Sequence, residues 1–169
     1  EERERLVALL KDFKDVFAWS YEDMPGIDPE IVQHRIPLDP KARPVKQKLR
    51  RSPPEWAFKI KEEVTKHIDA GFPLASEYPS WLANIVLLPK KNGRIRVCVE
   101  FRDLNRASSK DDFPLPHIDE LVDFTAGHAL LSFMEGFSVY NQIVMAPEDR
   151  EKTSFTTPCC TYCYRVMPF

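Results

Sequence analysis

The segment Leu131–Ile143 reads Leu-Ser-Phe-Met-Glu-Gly-Phe-Ser-Val-Tyr-Asn-Gln-Ile, an apolar run that ends on a single acidic residue, Glu135. The run has the length of a short strand, and Gly136 after it is a residue type that punctuates strands. We therefore predict a strand from Leu130 to Met134, with the Glu135 carboxylate at its end. Taken alone, an acid in this position is most often simply solvated.

Four further motifs accompany this segment in the chain. Trp81 begins Trp-Leu-Ala-Asn-Ile-Val, Arg96 begins Arg-Val-Cys-Val-Glu-Phe-Arg-Asp-Leu-Asn, and Phe113 begins Phe-Pro-Leu-Pro-His-Ile-Asp. The fourth, Tyr-Arg-Val-Met-Pro-Phe, occupies residues 164–169. In this order the motifs resemble the reverse transcriptase, an RNA-directed DNA polymerase, of Ty3/Gypsy-type LTR retrotransposons, which is part of a Gag-Pol polyprotein. The resemblance runs from about residue 44 to the last residue.

The resemblance implies an α+β fold comprising the fingers and part of the palm of a right-hand polymerase. Residues 1–43 resemble the connector or arm that precedes the polymerase, and residues 44–169 resemble an incomplete polymerase domain, truncated before the Tyr-x-Asp-Asp hairpin. The irregular alternation of helical and strand patterns favours the same fold class, because a doubly wound sheet would show a regular β-α-β rhythm. Fifteen prolines keep the individual elements short.

The chemistry that the resemblance implies is nucleotidyl transfer from a dNTP to a primer 3′-hydroxyl, on an RNA template with a DNA primer. Mg²⁺, or Mn²⁺, would be held by three carboxylates. Glu135 matches the first of these, where the family has aspartate, and the other two belong to the Tyr-x-Asp-Asp hairpin that this sequence does not include. Because magnesium demands near-ideal ligand positions, the longer glutamate is a poor substitute. We expect the isolated chain to be inactive and not to bind the metal stably.

The resemblance also assigns residues to the incoming nucleotide. Tyr140 matches a steric gate beneath the sugar, and the competing interpretation is a core tyrosine. Lys90 or Lys91, together with Arg96, match finger residues that grip the triphosphate, and the competing interpretation is a solvated hairpin. Glu100 replaces the aspartate that the family has before Phe-Arg-Asp-Leu-Asn, and Arg102, Asp103 and Asn105 are expected to brace the fingers.

A basic stretch precedes the second predicted helix. No acid occurs between residues 41 and 51, and Pro44 keeps the beginning of the stretch extended. Cations of this kind release counterions when they neutralise phosphates, so nucleic-acid binding would be independent of sequence and sensitive to salt. The alternative is a merely solvated run. The candidate phosphate-binding residues are Lys41, Arg43, Lys46, Lys48, Arg50 and Arg51.

Local patterns predict the remaining elements. We predict an amphipathic packing helix over Glu1–Phe17, a turn-rich connector, and a strand over Val32–Leu38 that pairs far away in sequence. A second helix begins with Ser52 as its cap and ends at Gly71. A hairpin joins Ile85–Leu88 to Ile95–Val99 through an Asn-Gly turn. A short helix ends near Phe124, and a helical turn covers Pro147–Lys152. The inner face of the second helix is predicted to comprise Phe58, Ile60, Val64, His67 and Ile68.

Composition and charge indicate which classes of protein the chain resembles least. The net charge of −2 would normally argue against a nucleic-acid partner, but the charge is unevenly distributed along the chain. No apolar run has membrane-spanning length and the charged start is unlike a secretory signal, so we expect a soluble, intracellular protein without a membrane partner. The four cysteines form a single Cys-x-x-Cys, which does not favour zinc. Two alternatives to a polymerase fragment stay open: a non-catalytic nucleic-acid-binding module derived from a retroelement, and a relic that folds poorly. RNase H and the rest of the palm are expected partners elsewhere in the polyprotein.

Overall fold

The computed structural model describes residues 1–50, 53–89, 95–110, 112–133, 136 and 138–168, without the side chain of Glu55. The α-helices of these residues are α1 (Glu2–Asp12), α2 (Pro54–Asp69), α3 (Arg102–Ala107) and α4 (Ile118–Thr125). Short 3₁₀ helices occupy Lys14–Val16, Tyr21–Asp23, Val139–Gln142 and Pro147–Thr153. The strands are β1 (Pro73–Ala75), β2 (Ala83–Pro89), β3 (Ile95–Val99), β4 (Phe155–Thr156) and β5 (Thr161–Tyr164).

Within the described residues, the five strands form one mixed sheet in the order β1-β5-β4-β2-β3. β2 and β3 pair antiparallel, with Ile85 opposite Val99, and this confirms the predicted hairpin strands. β4 pairs antiparallel with β5 but parallel with β2, where Ala83 lies opposite Phe155. The helices follow no regular alternation with the strands, so the predicted α+β class is confirmed.

Helix α2 packs its buried face on the sheet. Ile60 is 1% exposed and Val64 is also buried, as predicted, and α2 ends at Asp69 just before Gly71, whose φ is +74°. Phe58 is 75% exposed, so its assignment to the inner face is wrong: two helical positions before Ile60, it lies on the opposite side of the helix. Ile68 also stays exposed, in the last turn. Pro53 is the N-cap, while Ser52 lies outside the described residues.

The N-terminal segment is hydrogen-bonded to a distant part of the chain. The backbone N–H of His34 donates to the Val144 carbonyl over 2.9 Å, and the N–H of Ala146 donates to the His34 carbonyl over 2.9 Å. Instead of the predicted strand over residues 32–38, the structure has isolated bridges, at His34 and Leu38, but the long-range pairing is confirmed. Hydrogen bonds thus join residues 1–43 to residues 44–169. The division of the chain into a connector and a polymerase part stays a prediction.

Two predicted elements differ from the structure. The strand over residues 130–134 is wrong for its described part, since 130–133 adopt no regular structure and Phe133 is 88% exposed. A strand needs a hydrogen-bonding neighbour, and no described strand lies beside this segment. Helix α1 forms as expected, but none of its residues is buried, so it is not a packing helix within the described residues. No helix of the described part is long and apolar enough to span a membrane.

Candidate nucleic-acid and nucleotide site

The basic stretch lies along the beginning of β2 as an extended, exposed arm. Lys46 bridges Leu82 in a parallel arrangement, and the N–H of Gln47 donates to the Leu82 carbonyl over 2.9 Å. We call residues 41–50 the basic arm. Arg51 lies outside the described residues. All the described cationic side chains of the basic arm are exposed: Lys41, Arg43, Lys46, Lys48 and Arg50.

The side chain of Asn84, only 3% exposed, holds the end of the basic arm. Its Oδ1 accepts a hydrogen bond from the backbone N–H of Arg50 over 3.1 Å, and its Nδ2 donates to the carbonyl of Lys48 over 2.9 Å. The Oε1 of Gln47 in turn accepts from both the N–H (2.9 Å) and the Nδ2 (3.2 Å) of Asn84. The Asn84 carboxamide therefore satisfies the backbone of the arm where the strand-like pairing with Leu82 ends, and the Gln47 carboxamide holds Asn84 in turn.

Two acids of the motif that begins at Arg96, Glu100 and Asp103, brace the same arm. Gln47 Nε2 donates to Asp103 Oδ2 over 2.9 Å. Arg50 Nη2 lies 2.7 Å from Glu100 Oε2, yet that oxygen is buried and receives no aligned hydrogen bond, so the contact is an ion pair. Arg102 lies 3.5 Å from the other Glu100 oxygen. Glu100 and Asp103 thus link the basic arm to the hairpin and to α3, as a bracing role requires.

A cavity of about 400 Å³ brings together two of the four residues predicted to contact a nucleotide, Arg96 and Tyr140. Both side chains are exposed, Arg96 on β3 and Tyr140 on the 3₁₀ helix Val139–Gln142. Lys90 and Lys91 lie outside the described residues. The cavity thus combines the guanidinium of Arg96 with the phenol ring of Tyr140. Other lining residues are Tyr21, Glu63, His67, Phe72 and Tyr164.

Burial shifts the pKa values of two side chains in the cavity wall. Burial lowers the pKa of His67, so its imidazole is neutral at neutral pH. Burial, with a smaller contribution from Cys98, raises the pKa of Tyr164 to about 12, so its phenol also stays neutral. Arg96 is therefore the cation that the described cavity wall offers to an anion, while Glu63 contributes an acid to the same wall.

The N-terminal segment contributes Tyr21 to this cavity. The Tyr21 ring meets Phe72 edge-on, with 4.9 Å between centroids, and Phe72 is buried. A reciprocal capping arrangement between Ser20 and Asp23 fixes the 3₁₀ turn that carries Tyr21. Sequence reasoning missed Tyr21, Gln47 and Asn84. For Asn84 a signal existed, because a polar residue at the start of an apolar strand is a candidate for buried hydrogen bonding.

Glu135, the predicted first metal-binding acid, lies outside the described residues. In the part of the chain that the structure describes, no three His, Cys, Asp or Glu side chains gather to hold a metal ion. These residues do not fit a closed Mg²⁺ or Mn²⁺ site, and no chemical step through a metal follows from them. Just after Glu135, Ser138 adopts a left-handed φ of +46°, and a Cβ added at Gly136 would clash with Val139.

The fold is that of part of a retroviral reverse transcriptase. The chain superposes on the crystal structure of the prototype foamy virus protease-reverse transcriptase with a TM-score of 0.77 and 18% sequence identity. The superposition covers 99% of this chain and 22% of the foamy virus chain.

In sequence, the chain is similar to retrotransposon polyproteins. It is 29% identical, over 175 aligned positions, to the retrovirus-related Pol polyprotein from transposon 412 of Drosophila melanogaster, covering 99% of this chain and 14% of that polyprotein. It is 24% identical, over 168 positions, to the transposon Tf2-3 polyprotein of Schizosaccharomyces pombe, covering 95% and 12%. The chain spans about an eighth of the length of these curated relatives. No family model matches it. The resemblance to Ty3/Gypsy-type polyproteins is confirmed.

Proposed function

We propose that the chain is part of the fingers and palm of an RNA-directed DNA polymerase, the enzyme class that transfers a nucleotide from a dNTP to a primer 3′-hydroxyl. The observation that carries this proposal is the cavity lined by both Arg96 and Tyr140, in a fold shared with a retroviral reverse transcriptase. The RNA template, the DNA primer and the rest of the polyprotein, including the remaining palm and RNase H, are the proposed partners.

Each side chain in the cavity suits one part of a deoxynucleotide. Arg96 carries a forked set of N–H donors, the geometry that matches phosphate oxygens. Tyr140 supplies a rigid ring that excludes a ribose 2′-hydroxyl by bulk. Isothermal titration should show that Arg96→Gln weakens dATP binding about ten- to a hundredfold, the loss of charge-assisted hydrogen bonds. Arg35→Gln, which removes an exposed cation paired with Glu148, is the matched control and should bind normally.

Discrimination between a ribose and a deoxyribose sugar is tested separately. If Tyr140 is a steric gate, Tyr140→Ala should bind ATP more tightly relative to dATP than the original chain does. An unchanged ratio of the two affinities, with Arg96→Gln still impaired, would mean that Tyr140 is an exposed residue of the cavity wall with no role at the sugar.

We also propose that the isolated chain has no polymerase activity and does not hold Mg²⁺ or Mn²⁺ stably, because Glu135 is the one family carboxylate in its sequence. Primer extension on an RNA template with a DNA primer should give no product. Product that disappears in Glu135→Gln would contradict this proposal, because the acid would then be working in the isolated chain. Glu135→Asp, which restores the family's aspartate, should not create activity by itself.

A second candidate function is non-catalytic binding of nucleic acid, favoured by the exposed basic arm that the buried amide of Asn84 holds in place. The test is fluorescence anisotropy with a labelled RNA–DNA hybrid. Charge reversal at Lys46 and Lys48 should weaken binding and reduce the slope of log affinity against log salt by about 2, since each phosphate contact contributes about 0.9. Reversal of Lys11 and Lys61 changes the net charge equally and should retain tighter binding. Equal affinities for the two variants would sink the idea.

A further inference from the structure

The carboxamide of Asn84 takes the place of a neighbouring strand for the basic arm. A strand offers its partner one acceptor for an N–H and one donor for a carbonyl. Asn84 offers Oδ1 to the N–H of Arg50 and Nδ2 to the carbonyl of Lys48, directly after the bridge between Lys46 and Leu82. The side chain thereby continues the pairing of the arm for four residues beyond Lys46.

This carboxamide is itself held rigidly. Asn84 is 3% exposed, its backbone lies in β2 opposite Thr156 of β4, and its carbonyl accepts the N–H of Glu100 over 2.9 Å. Gln47 accepts from its Nδ2 and is fixed in turn by Asp103. The arm is therefore tied to β2, an inner strand of the sheet, through the buried amide of Asn84, although the cations of the arm are exposed.

We propose that Asn84 is a positioning residue for a polyanionic nucleic-acid backbone: it fixes the basic arm so that Lys46, Lys48 and Arg50 are presented in one extended row. Asn84 does not touch the ligand. Ordering a flexible segment on binding costs conformational entropy, and a segment that is already ordered in the free protein avoids that cost. This inference rests on the proposed nucleic-acid contact of the basic arm.

The mechanism predicts a signature that differs from loss of charge. In Asn84→Ala every cation is kept, so the same phosphates are neutralised on binding and the salt slope is unchanged. The affinity for the labelled RNA–DNA hybrid falls about tenfold at every salt concentration, equivalent to about 1.4 kcal/mol. Lys48→Ala, by contrast, lowers the slope by about 1. Hydrogen exchange of the amides of residues 47–50 becomes faster in Asn84→Ala.

Two further variants control for misfolding of Asn84→Ala and for nonspecific effects of changing a buried polar side chain. Gln47→Met removes the second carboxamide at similar side-chain length and should weaken binding in the same slope-independent way, which keeps the test decisive if Asn84→Ala does not fold. Ser154→Ala removes a fully buried hydroxyl that donates to Glu151 and should leave affinity unchanged.

The outcomes separate the inference from the function on which it rests. If the charge reversal at Lys46 and Lys48 leaves binding unaltered, both the arm's function and the role of Asn84 are overturned. If that reversal weakens binding but a folded Asn84→Ala binds as the original chain does, only the positioning role fails. A drop in salt slope in Asn84→Ala equal to that of Lys48→Ala would also overturn it, because cations would then be lost from the contact.

Discussion

Asp149 accepts a hydrogen bond from the backbone N–H of Ile36 over 2.7 Å, although 113 residues separate the two in sequence. Lys152 completes the clamp: its Nζ donates to Asp149 Oδ1 over 2.5 Å and to the Ile36 carbonyl over 3.4 Å. A single buried carboxylate thus ties the N-terminal segment to the 3₁₀ helix Pro147–Thr153.

Replacing this carboxylate should destabilise the protein in a pH-dependent way. Burial alone would raise the pKa of Asp149, but hydrogen bonds from Lys152 and Ile36 lower it on balance. A lowered folded pKa gives stability that is present above the unfolded pKa and lost as the pH falls through the folded pKa. Asp149→Asn should cost about 1–3 kcal/mol at neutral pH in urea unfolding.

The same variant should approach the stability of the original chain as the pH falls below about 4, the ordinary range of an aspartate. Glu148→Gln is the control, because its ion pair with Arg35 is exposed and should change stability by less than about 0.5 kcal/mol. A gap between Asp149→Asn and the original chain that stays constant with pH would contradict the assignment.

Two positions on α2 test which face of the helix carries the core. Ile60→Ala should lower the free energy of unfolding by about 2–5 kcal/mol, since Ile60 is 1% exposed and its removal leaves a cavity. Phe58→Ala, at 75% exposure, should change it by less than about 0.5 kcal/mol. Urea unfolding followed by circular dichroism measures both, and a costly Phe58→Ala would place the core elsewhere.

The cysteines should differ in reactivity. Cys159 and Cys160 are exposed, whereas Cys163 is buried and its burial raises the pKa of its thiol. Because the thiolate is the reactive form, iodoacetamide should modify Cys159 and Cys160 well before Cys163, as read by peptide mass spectrometry. In urea the difference should vanish. Early labelling of Cys163 in the folded protein would mean that β5 opens readily.

The segment before Glu135 should limit solubility. Leu130 and Phe133 are 83% and 88% exposed in a stretch without a strand partner, and exposed apolar patches promote association. Leu130→Gln combined with Phe133→Gln should reduce light scattering at high concentration while shifting stability by less than about 0.5 kcal/mol. Phe155→Gln, at a 3% exposed site, should instead unfold the protein. Destabilisation by the first pair would show that the segment is packed in solution.

Sequence patterns were sufficient for elements that local signals specify. The sequence between β2 and β3 contains the Asn-Gly hairpin signal, although that pair lies outside the described residues. Helix α2 has its apolar periodicity before Gly71, and α4 follows a proline-rich start. The predicted strand before Glu135 failed for a non-local reason, since its pattern was correct for a strand but no described strand pairs with it. Pairing partners are set by the whole fold and not by the segment itself.

The residues of the candidate site also fall into those that local motifs predict and those that depend on the whole fold. Arg96 and Tyr140 were predicted from motifs, and they do line one cavity. Tyr21 was not, because its place beside them depends on how the N-terminal segment folds back, which no short motif encodes. Asn84 bonds the backbone of the basic arm 34 to 36 positions away, and Gln47 of that arm bonds Asn84 across 37 positions, so their role becomes visible only when the distances are known.

The parallel pairing of Ala83 with Phe155 has a consequence for the order in which a ribosome delivers the sheet. The hairpin of β2 and β3 is complete within one short stretch of nascent chain. The parallel neighbour β4 begins at Phe155, 56 residues after the end of β3, which at roughly 5–20 residues per second is about 3–11 s of synthesis. During that interval one edge of β2 stays uncovered, and such an edge is a template for pairing with another chain. The basic arm is synthesised earlier, but it bonds Leu82 on the edge of β2 that also pairs with β3, because the N–H of Ala83 points the other way, to the carbonyl of Ser154. The arm therefore leaves open the edge of β2 that β4 will occupy.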